Sequence, residues 1–211
     1  MILLNFANKF KQLKQKGIQF DNVLDIGAYR GDFTETVHSV YPQAMVMQFE
    51  ADERQKDILR PEAHIVLLGN ECKEVDFYTI PDTGYGVTTG SSYYREMTTF
   101  YQNPIIVKKQ MVTLDSILDL NSHWYNVLVK LDTQGSELDI LDGAKQFISR
   151  HKPGHMLLEC SVKPYNEGAP LIGDVMKYMD GIGYQMYDII EAKYDNQGDL
   201  LQMDVLFRRR G

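Results

Sequence analysis

The segment Asp25-Ile26-Gly27-Ala28-Tyr29-Arg30-Gly31 sets two glycines four positions apart behind a short apolar run, with an acid two positions ahead of the first. A buried strand that feeds a glycine-containing turn opening a helix is where an open α/β sheet binds a nucleotide-like ligand. Glycine there lets the backbone approach the ligand with no Cβ in the way. Glu50, nineteen residues after Gly31, ends the next apolar run and is followed by Ala51 and Asp52. An acid at that offset hydrogen-bonds a ribose diol. A plain strand-turn-helix with a capping aspartate is the alternative, and the placement of Glu50 weighs against it.

The spacing also bears on which ligand. The glycines read GxxxG, not the dinucleotide pattern GxGxxG, and Asp32 and Glu35 fall in the first turn of the following helix. A pyrophosphate wants that helix start free of acids, which counts against an NAD-dependent oxidoreductase. A cationic ligand tolerates them. S-adenosylmethionine fits, with a sulfonium, an ammonium and a ribose but no phosphate.

A second group of acids follows. In Val129-Lys130-Leu131-Asp132-Thr133-Gln134-Gly135-Ser136-Glu137, an apolar strand delivers Asp132 at its carboxyl end, and Glu137 enters the first turn of the next helix beside its core-facing stripe. Glu159 ends another apolar run. Three acids on one edge can orient a substrate hydroxyl or accept its proton. They can also hold a divalent metal through oxygen ligands, which is the less favoured reading. Glu137 has a plainer alternative in capping its own helix. The histidines (His38, His64, His123, His151, His155) show no paired spacing, and no Ser-His-Asp arrangement is visible.

These residues need elements to place them. Leu3, Phe6, Ala7, Phe10 and Leu13 recur at helical spacing, so residues 1–20 read as a leading amphipathic helix stopped by Gly17. Strands over 22–26, 44–49 and 64–68 alternate with helices over 32–40 and 53–59, which is the rhythm of an α/β fold with a parallel sheet. Strands over 74–80 and 105–112 break that rhythm and flank a Gly-, Ser-, Thr- and Tyr-rich stretch over 82–104. A loop this long is a lid, a binding loop or a surface excursion, and Tyr85, Tyr93, Tyr94 and Tyr101 favour a substrate lid. The rhythm resumes with a helix over 114–120 capped by Thr113, a strand over 126–131 and a helix capped by Ser136 that runs past Ile148. A strand over 155–159, a helix around 171–179 and strands over 184–190 and 203–208 close a single domain over 1–211.

The chain has 211 residues, 44% hydrophobic and 24% charged, with a net charge of -7. That is enough chain for one real core, and its acidity makes a broad nucleic-acid-binding surface a poor reading. Arg208-Arg209-Arg210, a basic cluster, reads as a solvated tail. Cys72 and Cys160 form neither a disulfide framework nor a CxxC site, and Cys160 reads as a small core residue. No run is long enough to span a bilayer and the start is no signal peptide. A cytoplasmic location is expected. The oligomeric state is not readable.

Together the motifs resemble the FkbM-type S-adenosylmethionine-dependent methyltransferases. The resemblance rests on Val23 to Ala28 with Gly31, Tyr41-Pro42, Phe49-Glu50, Ser91-Ser92, Thr113 to Ser116 and Leu128 to Glu137 continuing as Leu141 to Ala144. Leu158-Glu159, Tyr165-Asn166 and Gly183-Tyr184 complete it. The KLDxQGxE segment is the most family-specific piece. The resemblance implies a Rossmann-like seven-stranded, mostly parallel sheet with helices on both faces, a last strand inserted antiparallel and a small β insertion in the middle. It also implies methyl transfer to a hydroxyl of a sugar, glycan or other small metabolite. By position, Asp25, Gly27, Ala28 and Gly31 would line the methionine part, Glu50 the ribose, and Gly69 and Asn70 the adenine, with Tyr29 and Ala51 also among the cofactor-binding residues. Ser91, Ser92 and Asp132 would sit near the methyl group, with Glu137 and Glu159 toward the acceptor and Asp132, then Glu159, as the base. The family usually has asparagine where Tyr29 stands, and a ring near a sulfonium is not unfavourable. A binding module that keeps the pocket and methylates nothing is the alternative; intact acids at all three strand ends argue against it.

Overall fold

The computed structural model describes residues 3–81 and 89–211, so the part of the expected lid at 82–88, with Tyr85, lies outside the described residues. In chain order the elements are α1 (Leu4–Gln15), β1 (Asn22–Ile26), α2 (Asp32–Val40), β2 (Met45–Glu50), β3 (His64–Ile65), β4 (Leu67–Leu68), β5 (Lys73–Thr79) and β6 (Ile105–Val112). There follow α3 (Leu114–Ile117), β7 (Val127–Leu131), α4 (Glu137–Asp142), α5 (Lys145–His151), β8 (His155–Ser161), α6 (Ile172–Gly181), β9 (Tyr184–Tyr194) and β10 (Leu200–Arg209). Seven strands form one sheet in the order β3-β2-β1-β7-β8-β10-β9, parallel except that β10 runs against both its neighbours. A second sheet, β4-β6-β5, stands beside it. This is the expected Rossmann-like architecture with its antiparallel last strand and middle β insertion. No helix among the described residues is long and apolar enough to cross a membrane.

The strands are buried on both faces, and their two-residue period divides them. Leu24, Ile26, Val129, Leu131, Leu158 and Phe207 face the layer that contains α3 to α6. Val23, Leu128, Leu157 and Leu206 face α1 and α2, where Phe6, Phe10 and Phe33 pack edge to face with ring centroids 5.8–6.4 Å apart. The same alternation turns the charged members of these strands, Asp25, Lys130, Glu159 and Asp204, onto the α1 and α2 side.

Several local expectations are corrected. Residues 53–59 are not an α-helix: Glu53–Gln55 make a 3-10 turn, because the amides of Lys56 and Ile58 reach back three residues, to Glu53 and Gln55, and Asp52 caps the amide of Arg54. The strand expected over 64–68 is cut at Val66, whose amide bonds the Glu50 carbonyl at 2.7 Å while β4 leaves for the second sheet. The helix expected from Ser136 past Ile148 is broken at Gly143, where a Cβ would stand 2.1 Å from the Gly69 carbonyl oxygen. Thr113 and Ser136 occupy N-cap positions without capping by their side chains, Ser136 donating instead to the Thr133 carbonyl, and α3 ends at Ile117. Arg208 and Arg209 are not a solvated tail; they are the exposed end of β10, paired with Gln185 and Tyr184.

Phe10 is fully buried and touches the rings of Phe6, Phe20, Phe33 and Tyr41. Phe10→Ala is expected to cost about 3–5 kcal/mol of unfolding free energy in urea titration. A loss below about 1 kcal/mol would show that α1 is not an integral part of the core.

Candidate functional site

The turn after β1 is shaped by a close approach. Gly27 has φ 76°, and a Cβ on it would fall 1.9 Å from the Asp132 carbonyl oxygen of β7's neighbouring turn. Tyr29 follows at φ 48°, which aims its amide at Glu50 Oε2, 2.7 Å away; the Asp52 amide donates to Glu50 Oε1 at the same distance. Burial pushes the Glu50 carboxyl up from its ordinary range, and these two amides pull it back toward the charged form. The carboxylate is thus hung rigidly at the end of β2, with further lone pairs left to accept.

Glu50 borders a cavity of about 470 Å³ over the carboxyl ends of β1, β2, β7 and β8. Phe49, Leu67, Leu68, Phe77 and Ile140 form its apolar flank. At the other end Asp132 and Glu159 are bridged by one amide: Gln134 Nε2 donates to Asp132 Oδ1 at 3.1 Å and to Glu159 Oε2 at 2.7 Å. Lys193 donates to Glu159 Oε1 at 2.8 Å. It is the one cation among the described lining residues, and it is committed to that pair.

These carboxylates diverge in acidity. Burial, the nearby Asp132 charge and Asp204 raise Glu159 to about 8 against the pull of Lys193. Burial opposes the charge of Asp132 too, but Lys130 and Lys193, with hydrogen bonds from Gln134 and Glu159, hold it below the ordinary range. Asp204, across from Glu159 in the β8–β10 register, is raised to about 7 by burial and by Asp132. At this end of the cavity Asp132 is held toward its charged form beside Glu159, held toward its neutral form, the pattern of groups with separated acid–base roles.

A strap over residues 89–103 roofs the cavity. Ser92 exchanges backbone bonds with Tyr78 (2.8 and 3.1 Å) and reaches the Thr133 carbonyl with its hydroxyl at 3.3 Å. The Tyr93 and Tyr94 hydroxyls both donate to Asp139 Oδ2, at 2.7 and 2.9 Å. Asn166 donates to the Tyr94 carbonyl at 3.0 Å, and Tyr101, on the cavity wall, donates to Thr89. Arg54 ties Asp52 to the Ile80 carbonyl and the Thr79 hydroxyl, which contacts Ser91 at 2.9 Å.

Of the residues expected from sequence, Gly27, Tyr29, Glu50, Ala51, Ser91, Ser92, Asp132 and Glu159 lie together on the wall. Six stand off it. Asp25 is buried behind the turn, accepting from Thr34 at 2.7 Å. Ala28 and Gly31 shape the turn from outside. Gly69 packs on Met111, with Leu67 and Leu68 at the wall in its place, and Asn70 is exposed. Glu137 turns back on its own loop, accepting from the Thr133 amide at 2.8 Å and the Gly135 amide at 3.1 Å. Gln134, Lys193, Gln202 and Tyr165 line the cavity without having been assigned a role. Gln134 and Tyr165 carried a signal, their places in the KLDxQGxE segment and the Tyr165-Asn166 match; Lys193 and Gln202 depend on strand register. Among the described residues no cluster of three or more His, Cys, Asp or Glu is arranged to hold a metal ion.

Glu159 and Asp204 hold their protons to about 8 and about 7 in the folded chain, well above unfolded carboxyls. The stability they contribute is complete below about pH 4 and is lost as pH rises through their folded values. Urea titrations are expected to show unfolding free energy falling between about pH 5 and pH 8.5, and falling less in Asp204→Asn. Equal pH slopes in the two proteins would contradict the assignment.

A family model described as the methyltransferase FkbM domain matches residues 25–186. No curated protein matches the chain. Among solved structures, a methyltransferase FkbM from Methylobacillus flagellatus KT is similar at a TM-score of 0.54 and 18% identity, over 88% of this chain and 43% of that one. This chain therefore spans less than half of that relative's length. A S-adenosylmethionine-dependent methyltransferase from Clostridium acetobutylicum ATCC 824 (TM-score 0.51, 10% identity) is matched over 100% of this chain and 93% of its own. Magnesium protoporphyrin IX methyltransferase from Synechocystis PCC 6803, with bound SAM, is similar at 0.51 and 9% identity, over 98% and 81%. At these identities the structures speak to the fold.

Proposed function

Because the chain belongs to the FkbM methyltransferase family, we propose that it is a S-adenosylmethionine-dependent O-methyltransferase whose acceptor is a hydroxyl of a sugar, glycan or other small metabolite. The observation that carries this is a single cavity with Glu50 hung on two amides at one end and the Asp132–Gln134–Glu159 group at the other.

The residues fit the cofactor. The apolar flank of Phe49, Leu67, Leu68 and Ile140 suits a purine, Glu50 suits a ribose diol, and the described lining residues offer no cation free for a phosphate. S-adenosylmethionine, when bound, supplies an electrophilic methyl group. Everything else falls to the chain. Glu50 accepts from the ribose hydroxyls and so fixes the ligand along the turn at Gly27. Asp132, bordered by Gln134, would accept the proton of the acceptor hydroxyl as that oxygen takes the methyl group, whose bond to sulfur breaks so that the cofactor leaves as the neutral thioether S-adenosylhomocysteine. Glu159, protonated and pinned by Lys193 and Gln134, orients the acceptor. The strap excludes water while the reacting groups are held together, which is most of the catalysis in such a transfer.

Isothermal titration is expected to give micromolar binding of S-adenosylmethionine and none of NAD. Glu50→Ala is expected to weaken the cofactor by about tenfold or more, the loss of a charge-assisted bond. Asp132→Asn is expected to keep cofactor affinity while lowering kcat by about 10²- to 10³-fold. Absence of S-adenosylmethionine binding by the folded protein would overturn the reading.

A further inference from the structure

Asp25 on β1 and Lys130 on β7 are register partners, and both are buried. The Lys130 ammonium lies 3.4 Å from Asp25 Oδ1 and 3.7 Å from Asp132 Oδ2, and donates to the Gly27 carbonyl at 2.7 Å. The Phe33 ring centroid is 5.5 Å away on the side of α2. Thr34 bonds the second Asp25 oxygen, and the first has no hydrogen-bond partner, so it faces the ammonium alone. An apolar side chain would fill this place in β7 as Leu128 does on the same face, without the desolvation cost of a buried charge.

We propose that Lys130 is a positioning residue that joins the two ends of the site, one ammonium holding both the Gly27 carbonyl under the cofactor turn and the Asp132 carboxylate at the acceptor end. The inference rests on the methyltransferase reading for the roles of those two groups. It needs nothing from the reaction for its geometry. Charged and titratable groups facing Asp132 are Lys130 on its own strand, Asp25 from β1, Glu137 from α4, Glu159 from β8, Lys193 from β9 and Asp204 from β10. Phe33 and Thr34 from α2 add no charge. Lys193 is half exposed and bonded to Glu159, whereas Lys130 is 9% exposed, so its field on Asp132 is the less screened of the two.

The test reads the protein with and without turnover. Asp25→Asn with Lys130→Gln removes the buried pair together, leaving no stranded charge. The Asp132 carboxyl carbon is followed by NMR across pH in the ligand-free protein, identified by its loss in Asp132→Asn. In the double variant its midpoint is expected to rise by about one pH unit, S-adenosylmethionine affinity to fall about tenfold, and the acid limb of kcat/KM to move with the midpoint. Lys130→Arg is expected to restore the midpoint. Asp25→Asn alone, which keeps the lysine and the Thr34 bond, is expected to lower the midpoint, since Lys130 then serves Asp132 without a competitor. An unmoved midpoint and affinity beside a fallen Tm would reduce Lys130 to a structural role and overturn the proposal, as would a rise in Asp25→Asn. If the natural chain binds no S-adenosylmethionine, the functional reading fails on its own, and the ligand-free midpoint still decides for or against the lysine.

Discussion

A sheet face that carries charge into the interior has to balance it there, and this requirement organises the molecule. Asp25, Lys130, Glu159 and Asp204 share one face of the large sheet by simple alternation with Val23, Leu128, Leu157 and Leu206. Water cannot screen them, so Lys130 is answered by Asp25 and Asp132, Asp25 also by Thr34, and Glu159 by Lys193 and Gln134, while burial and the Asp132 charge hold Asp204 toward its neutral form. Slipping any of these strands by one residue would send the charges into the other core layer and the apolar set into their place. The polar row therefore specifies register as firmly as the aromatic packing beneath α1 does.

The close approach at Gly27 follows from the same register. Strands β1 and β7 pair from Asn22 with Val127 to Ile26 with Leu131, and the Asp132 amide extends the ladder to the Ile26 carbonyl at 3.2 Å. The two turns that leave these strands are then forced against each other, with no room for a side chain at position 27. What is a packing restriction from below is a floor for a ligand from above. One short stretch of ladder thus sets the distance between the Glu50 end of the cavity and the Asp132 end.

Much of this was legible from residues alone, where local pattern decides the outcome. The alternation of apolar runs with helices marked the parallel sheet, and acids at strand ends (Glu50, Asp132, Glu159) marked its carboxyl edge. What escaped notice depends on pairing that no local pattern displays. Asp204 sits in mid-strand and reaches the edge only because β10 runs antiparallel beside β8. Lys193 comes from a neighbouring strand that the same insertion brings near. Glu137 admits two readings in the sequence, a site acid and a cap of its own helix start, and its carboxylate accepts from the amides of Thr133 and Gly135. Gly69 and Asn70 stand at the adenine only by resemblance, and that Leu67 and Leu68 line the wall follows from the cut at Val66, which no local pattern displays.

That cut has a mechanical consequence. A single residue, Val66, separates the last rung of the large sheet from the first of the small one, and its amide is bonded to the carbonyl of Glu50. The small sheet rejoins the large body at a second point, where β6 runs into α3, and the strap adds a third, with Ser92 bonded to the Thr133 carbonyl and Tyr93 and Tyr94 to Asp139. Held at three places, the small sheet cannot open about the Val66 hinge without breaking bonds to the larger one.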